Sequence, residues 1–141
     1  MIGPIFLPLL FMTSSLSRYS DCGLLVLRLA VAAAFLVHGT QKFGLWNTAP
    51  EGFPAAMLVI MRVLSIVEPL AGLAILLGIF LRPAALVLAV IMIGAIVMKI
   101  ALLKLPYAAS DSVGWELDAI LLGAALVLAT VGGGKLVVKK G

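Results

Sequence analysis

The chain of 141 residues is 64% apolar and only 11% charged, with a mean hydropathy of +1.27, and a soluble domain of this length has too little interior to hide that much apolar surface. Its formal charge of +4 comes from basic residues scattered between apolar runs, which excludes a nucleic-acid-binding patch and suits membrane topology instead. The single cysteine, Cys22, excludes an internal disulfide, a CxxC pair and a multi-cysteine metal site.

The chain opens with Met1 to Ser15, an apolar stretch of about a dozen residues broken by Pro4 and Pro8, with no basic start and no A-x-A site. Those features argue against a signal peptide. Residues 1–20 are expected to form an interfacial or disordered lead-in, ending in a polar collar of Arg18, Tyr19 and Asp21, ahead of one membrane domain over residues 21–141. The first span, about 24–43, is long enough for a hydrocarbon core of roughly 30 Å. It nevertheless carries Arg28 near its start and ends in His38-Gly39-Thr40-Gln41-Lys42.

A loop with Trp46, Asn47, Pro50, Glu51 and Pro54 leads into a second span, about 55–81, which holds Arg62, Ser65 and Glu68-Pro69. The short turn Leu81-Arg82-Pro83 makes the third span, about 84–103, its antiparallel neighbour. Lys99 is the one charge in that third span. After Lys104, Pro106, Tyr107 and Asp111 comes the fourth span, about 114–131, opened by Trp115, Glu116 and Asp118 and ended by Gly132-Gly133-Gly134. The expected fold is an all-α integral membrane protein, a four-helix transmembrane bundle. Arg18, Arg82, Lys135, Lys139 and Lys140 on the side of both termini make the termini cytoplasmic by the positive-inside rule.

That topology gathers His38, Lys42, Arg62, Glu68, Lys99, Glu116 and Asp118 in the outer half or at the midplane and leaves Arg28 on the inner side. An ionisable group in hydrocarbon costs about 2.5–3.5 kcal/mol on insertion scales, so such a group needs a partner, water or a ligand. Glu68 lies too deep to snorkel and is expected to be protonated or paired with Lys42, Arg62 or Lys99. Pro69 cannot donate a backbone N–H and so frees the Ser65 carbonyl beside that carboxylate. Glu116 and Asp118 sit about 200° apart on a helix of 100° per residue, so one of them faces the bundle, and Glu116 is taken for it. For each group a structural reading stands beside the functional one. His38 can be a hydrogen-bonded packing residue, Lys42, Arg62 and Lys99 can snorkel, and Asp118 can complement a helix dipole. Arg28 reads as a snorkelling anchor, and Gly72, Gly78 and Gly94 as close-packing positions. One histidine with scattered carboxylates is a poor ligand set, so no metal site is expected, nor does any motif indicate haem or flavin.

His38-Gly39-Thr40-Gln41-Lys42, Glu68-Pro69-Leu70-Ala71-Gly72 with Gly78, Gly114-Trp115-Glu116 and Gly133-Gly134-Lys135-Leu136, in that order on four spans, together resemble the DoxX family of small four-helix membrane proteins over about residues 24–136. The resemblance implies a bacterial or archaeal cytoplasmic-membrane protein. Some relatives are the membrane subunit of a thiosulfate:quinone oxidoreductase, and others are associated with oxidative stress, thiol homeostasis or quinone detoxification. This chain departs from a self-contained thiol or metal chemistry, since Lys99 and Lys104 stand where a partner cysteine or second histidine would be needed. The expectation is a membrane subunit of a redox system, not a complete enzyme by itself, that binds a quinone in the polar cluster. Glu68, His38 and Lys42 would be the catalytic groups, and His38, Lys42, Arg62, Glu68, Lys99 and Glu116 the binding groups. Its partners would be the bilayer, a redox protein that delivers electrons and, as an alternative, further copies of the chain. Two other readings are a non-catalytic scaffold that recruits a soluble enzyme and a small oligomeric transporter with Glu68 as coupling carboxylate.

Overall fold

The computed structural model describes residues 6–108 and 114–138, with side chains from Tyr19 onward. Met1 to Ile5, the side chain of Arg18, Asp111, Lys139 and Lys140, which enter the readings above, lie outside the described residues. The described chain is all helical: α1 Phe6–Gln41, a 3-10 turn Lys42–Trp46, α2 Ala55–Leu77, α3 Leu81–Ala101 and α4 Glu116–Thr130. The helix of the first span thus begins within the segment read as a lead-in. Three segments are long and apolar enough to cross a bilayer, Tyr19–Trp46, Ala55–Leu77 and Leu81–Ala101. At 15 residues α4 is shorter, about 22 Å at 1.5 Å per residue.

Each helix buries one narrow stripe. Arg28, Val31, Ala32, Phe35 and Gly39 lie inward on α1, and Ser65, Glu68, Ala71, Gly72 and Ile75 on α2, with Ala85, Leu88, Ala89 and Met92 on α3 and Leu121, Ala125 and Leu128 on α4. Spacings of three and four residues keep these positions on one face. The opposite faces expose Val26, Val59, Val63, Leu70, Leu86, Val90, Val97 and Ile120. A continuous apolar exterior of that kind fits hydrocarbon rather than water.

Consecutive helices are neighbours, and α4 returns to touch α1, which closes a ring of four antiparallel helices. The ring is uneven, because α1 packs closely on α2 and α3 on α4 while the two pairs meet more loosely. Small residues set the α1–α2 contact. A Cβ on Gly39 would run into the Pro69 ring, and one on Gly72 would lie 3.3 Å from the Ala32 carbonyl oxygen.

The α2–α3 turn falls at Gly78-Ile79-Phe80, three residues earlier than the sequence suggested. Gly78 adopts φ 70°, and the Gly78 and Ile79 amides donate to the Ile75 and Ala74 carbonyls, the paired bonds that end a helix on a left-handed glycine. Pro83 then falls in the first turn of α3, where its missing N–H leaves no hydrogen bond unmade.

Arg28 is 2% exposed, not snorkelling. Its Nε and Nη2 donate to the Ile75 and Leu76 carbonyls at 3.0 and 2.8 Å, and its Nη1 to the Leu136 carbonyl at 2.6 Å. A cation at the negative end of α2 donates to carbonyls of the helix's last turn, where the helix dipole favours positive charge. The same knot holds Gly133, where a Cβ would come within 2.6 Å of Leu81 Cδ1, and Lys135, whose amide donates to Asp21 Oδ1 at 3.1 Å. The start of the first span and the segment after α4 therefore meet at this end, and the polar groups of the candidate site lie at the other.

Candidate functional site

At the end of the bundle away from the α2–α3 turn, α1 gives way to a 3-10 turn that begins at Lys42. The Lys42 Nζ donates to Glu68 Oε2 at 2.5 Å and to the His38 carbonyl at 3.2 Å. The Glu68 side chain is 3% exposed and that of Lys42 is 22% exposed. A pair this deep is tolerable because each charge neutralises the other. The contact between Gly39 and the Pro69 ring, one helical turn before Lys42 and one residue after Glu68, sets the register in which the two side chains meet.

The 3-10 turn is held by its own bonds. Trp46 Nε1 donates to Ser65 Oγ at 2.9 Å, and Ser65 Oγ donates in turn to the Arg62 carbonyl at 2.6 Å. Arg62 Nε donates to the Leu45 carbonyl at 3.0 Å, with its guanidinium carbon 5.6 Å from the Trp46 ring centroid. Cation–π and hydrogen-bond contacts together fix the turn against α2.

The other hairpin offers a matching arrangement. Lys99, near the end of α3, has its Nζ 2.6 Å from Asp118 Oδ2, and donates to the Gly114 carbonyl at 3.1 Å. The described ends of the α3–α4 connection meet closely. The Glu116 amide donates to the Tyr107 carbonyl at 2.9 Å, and the Tyr107 and Trp115 rings meet edge to face at 4.6 Å. Gly114 leaves no room for a Cβ, which would collide with the Tyr107 carbonyl oxygen and Glu116 Oε2.

Between the two hairpins lies a cavity of about 370 Å³. His38, Lys42, Glu68, Lys99 and Asp118 supply its polar wall, while the apolar wall comes from α2, α3 and α4 through side chains such as Met61, Leu64, Met92 and Leu121. Among the described residues the His38 imidazole makes no hydrogen bond, so both ring nitrogens are available to a bound molecule. The volume lies within the range of small-molecule sites, and apolar walls with a few convergent polar groups are their usual make-up.

Of the six residues expected to bind a ligand, the cavity unites His38, Lys42, Glu68 and Lys99. It does not unite Arg62, which is spent on Leu45 and Trp46, or Glu116, whose Oε2 is buried toward Gly114 without a hydrogen-bond partner among the described residues. Asp118 takes the inward place assigned to Glu116. About 200° apart on α4, the two cannot both face the cavity. Lys99 on the preceding helix decides between them, because a carboxylate that faces it gains an ion pair. A lysine near the end of one helix and a carboxylate in the first turn of the next is the signal that would have found the pair.

A comparison with family models matches residues 23–100 to the DoxX family. The match ends before the Gly114-Trp115-Glu116 and Gly133-Gly134-Lys135-Leu136 motifs, and so covers less than the resemblance over residues 24–136. No curated protein and no solved structure matches the chain. Since the match takes in more than half of the 141 residues and three helices have membrane-span length, the chain is a membrane protein and belongs to the DoxX family.

Proposed function

We propose that the protein is the membrane subunit of a redox system and binds a quinone, or a similar lipophilic molecule with hydrogen-bond acceptors on its head, in the cavity between the two hairpins. The observation that carries this reading is the cavity wall itself: two lysine–carboxylate pairs, one from each hairpin, and an unbonded histidine face one apolar chamber. In the same reading all four helices lie in a prokaryotic cytoplasmic membrane, with both termini cytoplasmic. The excess of basic residues on the side of Arg82 and Lys135 supports that orientation.

The residues suit such a ligand. A bound quinone would supply two-electron acceptance, with electrons delivered by a partner protein or a small reductant. Lys42 and Lys99 hold protons on Nζ, next to the space a carbonyl-bearing head would fill. Glu68 and Asp118 hold those ammonium groups in place, and His38 provides a further donor on the same wall. The apolar walls exclude water and strengthen each of these interactions.

The test is to purify the protein in mild detergent, extract it with organic solvent and identify bound quinones and lipids by mass spectrometry, alongside Glu68→Gln. A quinone enriched in the wild type and lost from the variant is the expected result. Bulk lipid alone in both preparations overturns the reading and favours a scaffold that recruits a soluble enzyme.

A further inference from the structure

We propose that the cavity is loaded sideways from the bilayer, through a gap between α2 and α3 framed by Ile60 and Gly94. The ligand then carries a hydrocarbon tail that remains in this gap while its polar head lies against the ion pairs. The proposal rests on the functional reading above and specifies the kind of molecule that reading admits.

Three observations converge on the gap. Ile60 on α2 and Gly94 on α3 both line the cavity, yet both are exposed on the outside of the bundle, Ile60 by 51%. The chamber therefore reaches the surface that faces hydrocarbon. Second, Gly94 does not serve close packing, unlike Gly39, Gly72 and Gly78. No atom lies within 4 Å of the place its Cβ would occupy. Glycine inside a helix is less favourable than alanine, and here no neighbouring backbone benefits from the missing side chain. What it leaves is open space on the rim of the cavity. Third, the described parts of both connections at this end are tied down. The 3-10 turn is pinned to α2 through Trp46–Ser65 and Leu45–Arg62, and the α3–α4 connection is pinned to Lys99 through the Gly114 carbonyl. Meanwhile α2 and α3 pack more loosely than either close pair, as do α1 and α4, and the exposed residues among those that line the cavity, Ile60 and Gly94, both lie on the α2–α3 side, which makes it the open side of the chamber.

The cavity lining divides into an apolar part and a polar part. Ile60, Ile91 and Ala95 line its apolar part, Met61 and Met98 add flexible thioether side chains that adapt to a passing chain, and the lysines, carboxylates and His38 lie at the polar end. A molecule with a polar ring and an isoprenoid tail matches both parts, whereas a water-soluble substrate would have to cross hydrocarbon to enter between α2 and α3.

The experiment reconstitutes the protein in liposomes that contain a long-chain ubiquinone, re-purifies it, and measures the quinone retained per protein. Gly94→Trp fills the gap from α3, Ile60→Trp fills it from α2, and Val90→Trp places the same bulk on an exposed part of α3 that does not line the cavity. Retention at least tenfold lower in Gly94→Trp and Ile60→Trp, with Val90→Trp unchanged and all three melting within a few degrees of the wild type, is the expected outcome. Wild-type retention in both gap variants overturns the sideways route and leaves quinone binding standing. Equal loss in Val90→Trp also overturns it, since bulk anywhere on α3 would then suffice. A wild-type protein that retains no quinone brings down the functional reading and the route together.

Discussion

Lys42 and Glu68 stand 26 residues apart in the chain and meet at 2.5 Å across the α1–α2 contact. Removal of one partner from a buried pair leaves an uncompensated charge, at a cost of about 3–5 kcal/mol, whereas removal of both is often close to neutral. Glu68→Leu is therefore expected to destabilise the protein by about 3 kcal/mol, near the low end because Lys42 is partly exposed and can turn toward water. Lys42→Met combined with Glu68→Leu should recover most of that stability, as followed by thermal unfolding in detergent. Quinone retention should be absent from both variants. A double variant that is stable and still retains quinone would show that the pair only holds the helices in register.

The inward place of Asp118 yields a sharp comparison with its neighbour. Asp118→Asn strands Lys99 at the cavity wall and should lower quinone retention at least tenfold. Glu116→Gln, which changes a group that does not line the cavity, should leave retention within about twofold. Reversal of that order, measured by the same extraction, would restore Glu116 to the site and remove Asp118.

Gly39 and Pro69 form a second relationship open to test. Gly39→Ala places a methyl group against the Pro69 ring, and overpacking of this kind costs about 1–3 kcal/mol. Pro69→Ala in the same chain makes room and should return at least half of the loss. If Gly39→Ala melts like the wild type, the two helices do not approach as closely as described, and the register of Lys42 on Glu68 needs another cause.

The Arg28 knot predicts a local rather than a global effect. Arg28→Met removes three hydrogen bonds and leaves the Leu76 and Leu136 carbonyls to find other partners, while Ile75 keeps the Gly78 amide, each such loss costing about 1–3 kcal/mol where the group stays buried. The segment after α4 should detach first. Labelling of Val137→Cys in a Cys22→Ser background, slow in the parent because Val137 packs against Gly78 and Gly133, should accelerate at least tenfold with Arg28→Met. An unchanged rate would mean that Leu136 is held by other contacts.

Membrane residence and helical class were legible in the sequence by itself, because apolar length acts locally and needs no knowledge of neighbours. The same holds for the demand that Glu68 be compensated, since burial of a carboxylate in a bilayer is costly whatever surrounds it. The tertiary structure alone decided which partner compensates it. Lys42 wins over Arg62 and Lys99 because Gly39 lets α1 seat on Pro69, while Arg62 is drawn to Trp46 and Leu45 and Lys99 to Asp118. Arg28 shows the same division. Its charge is visible in the sequence, but the carbonyls it meets belong to Ile75, Leu76 and Leu136, far along the chain. Helical periodicity places a side chain on a face, and only the packing of one helix on another determines what that face meets.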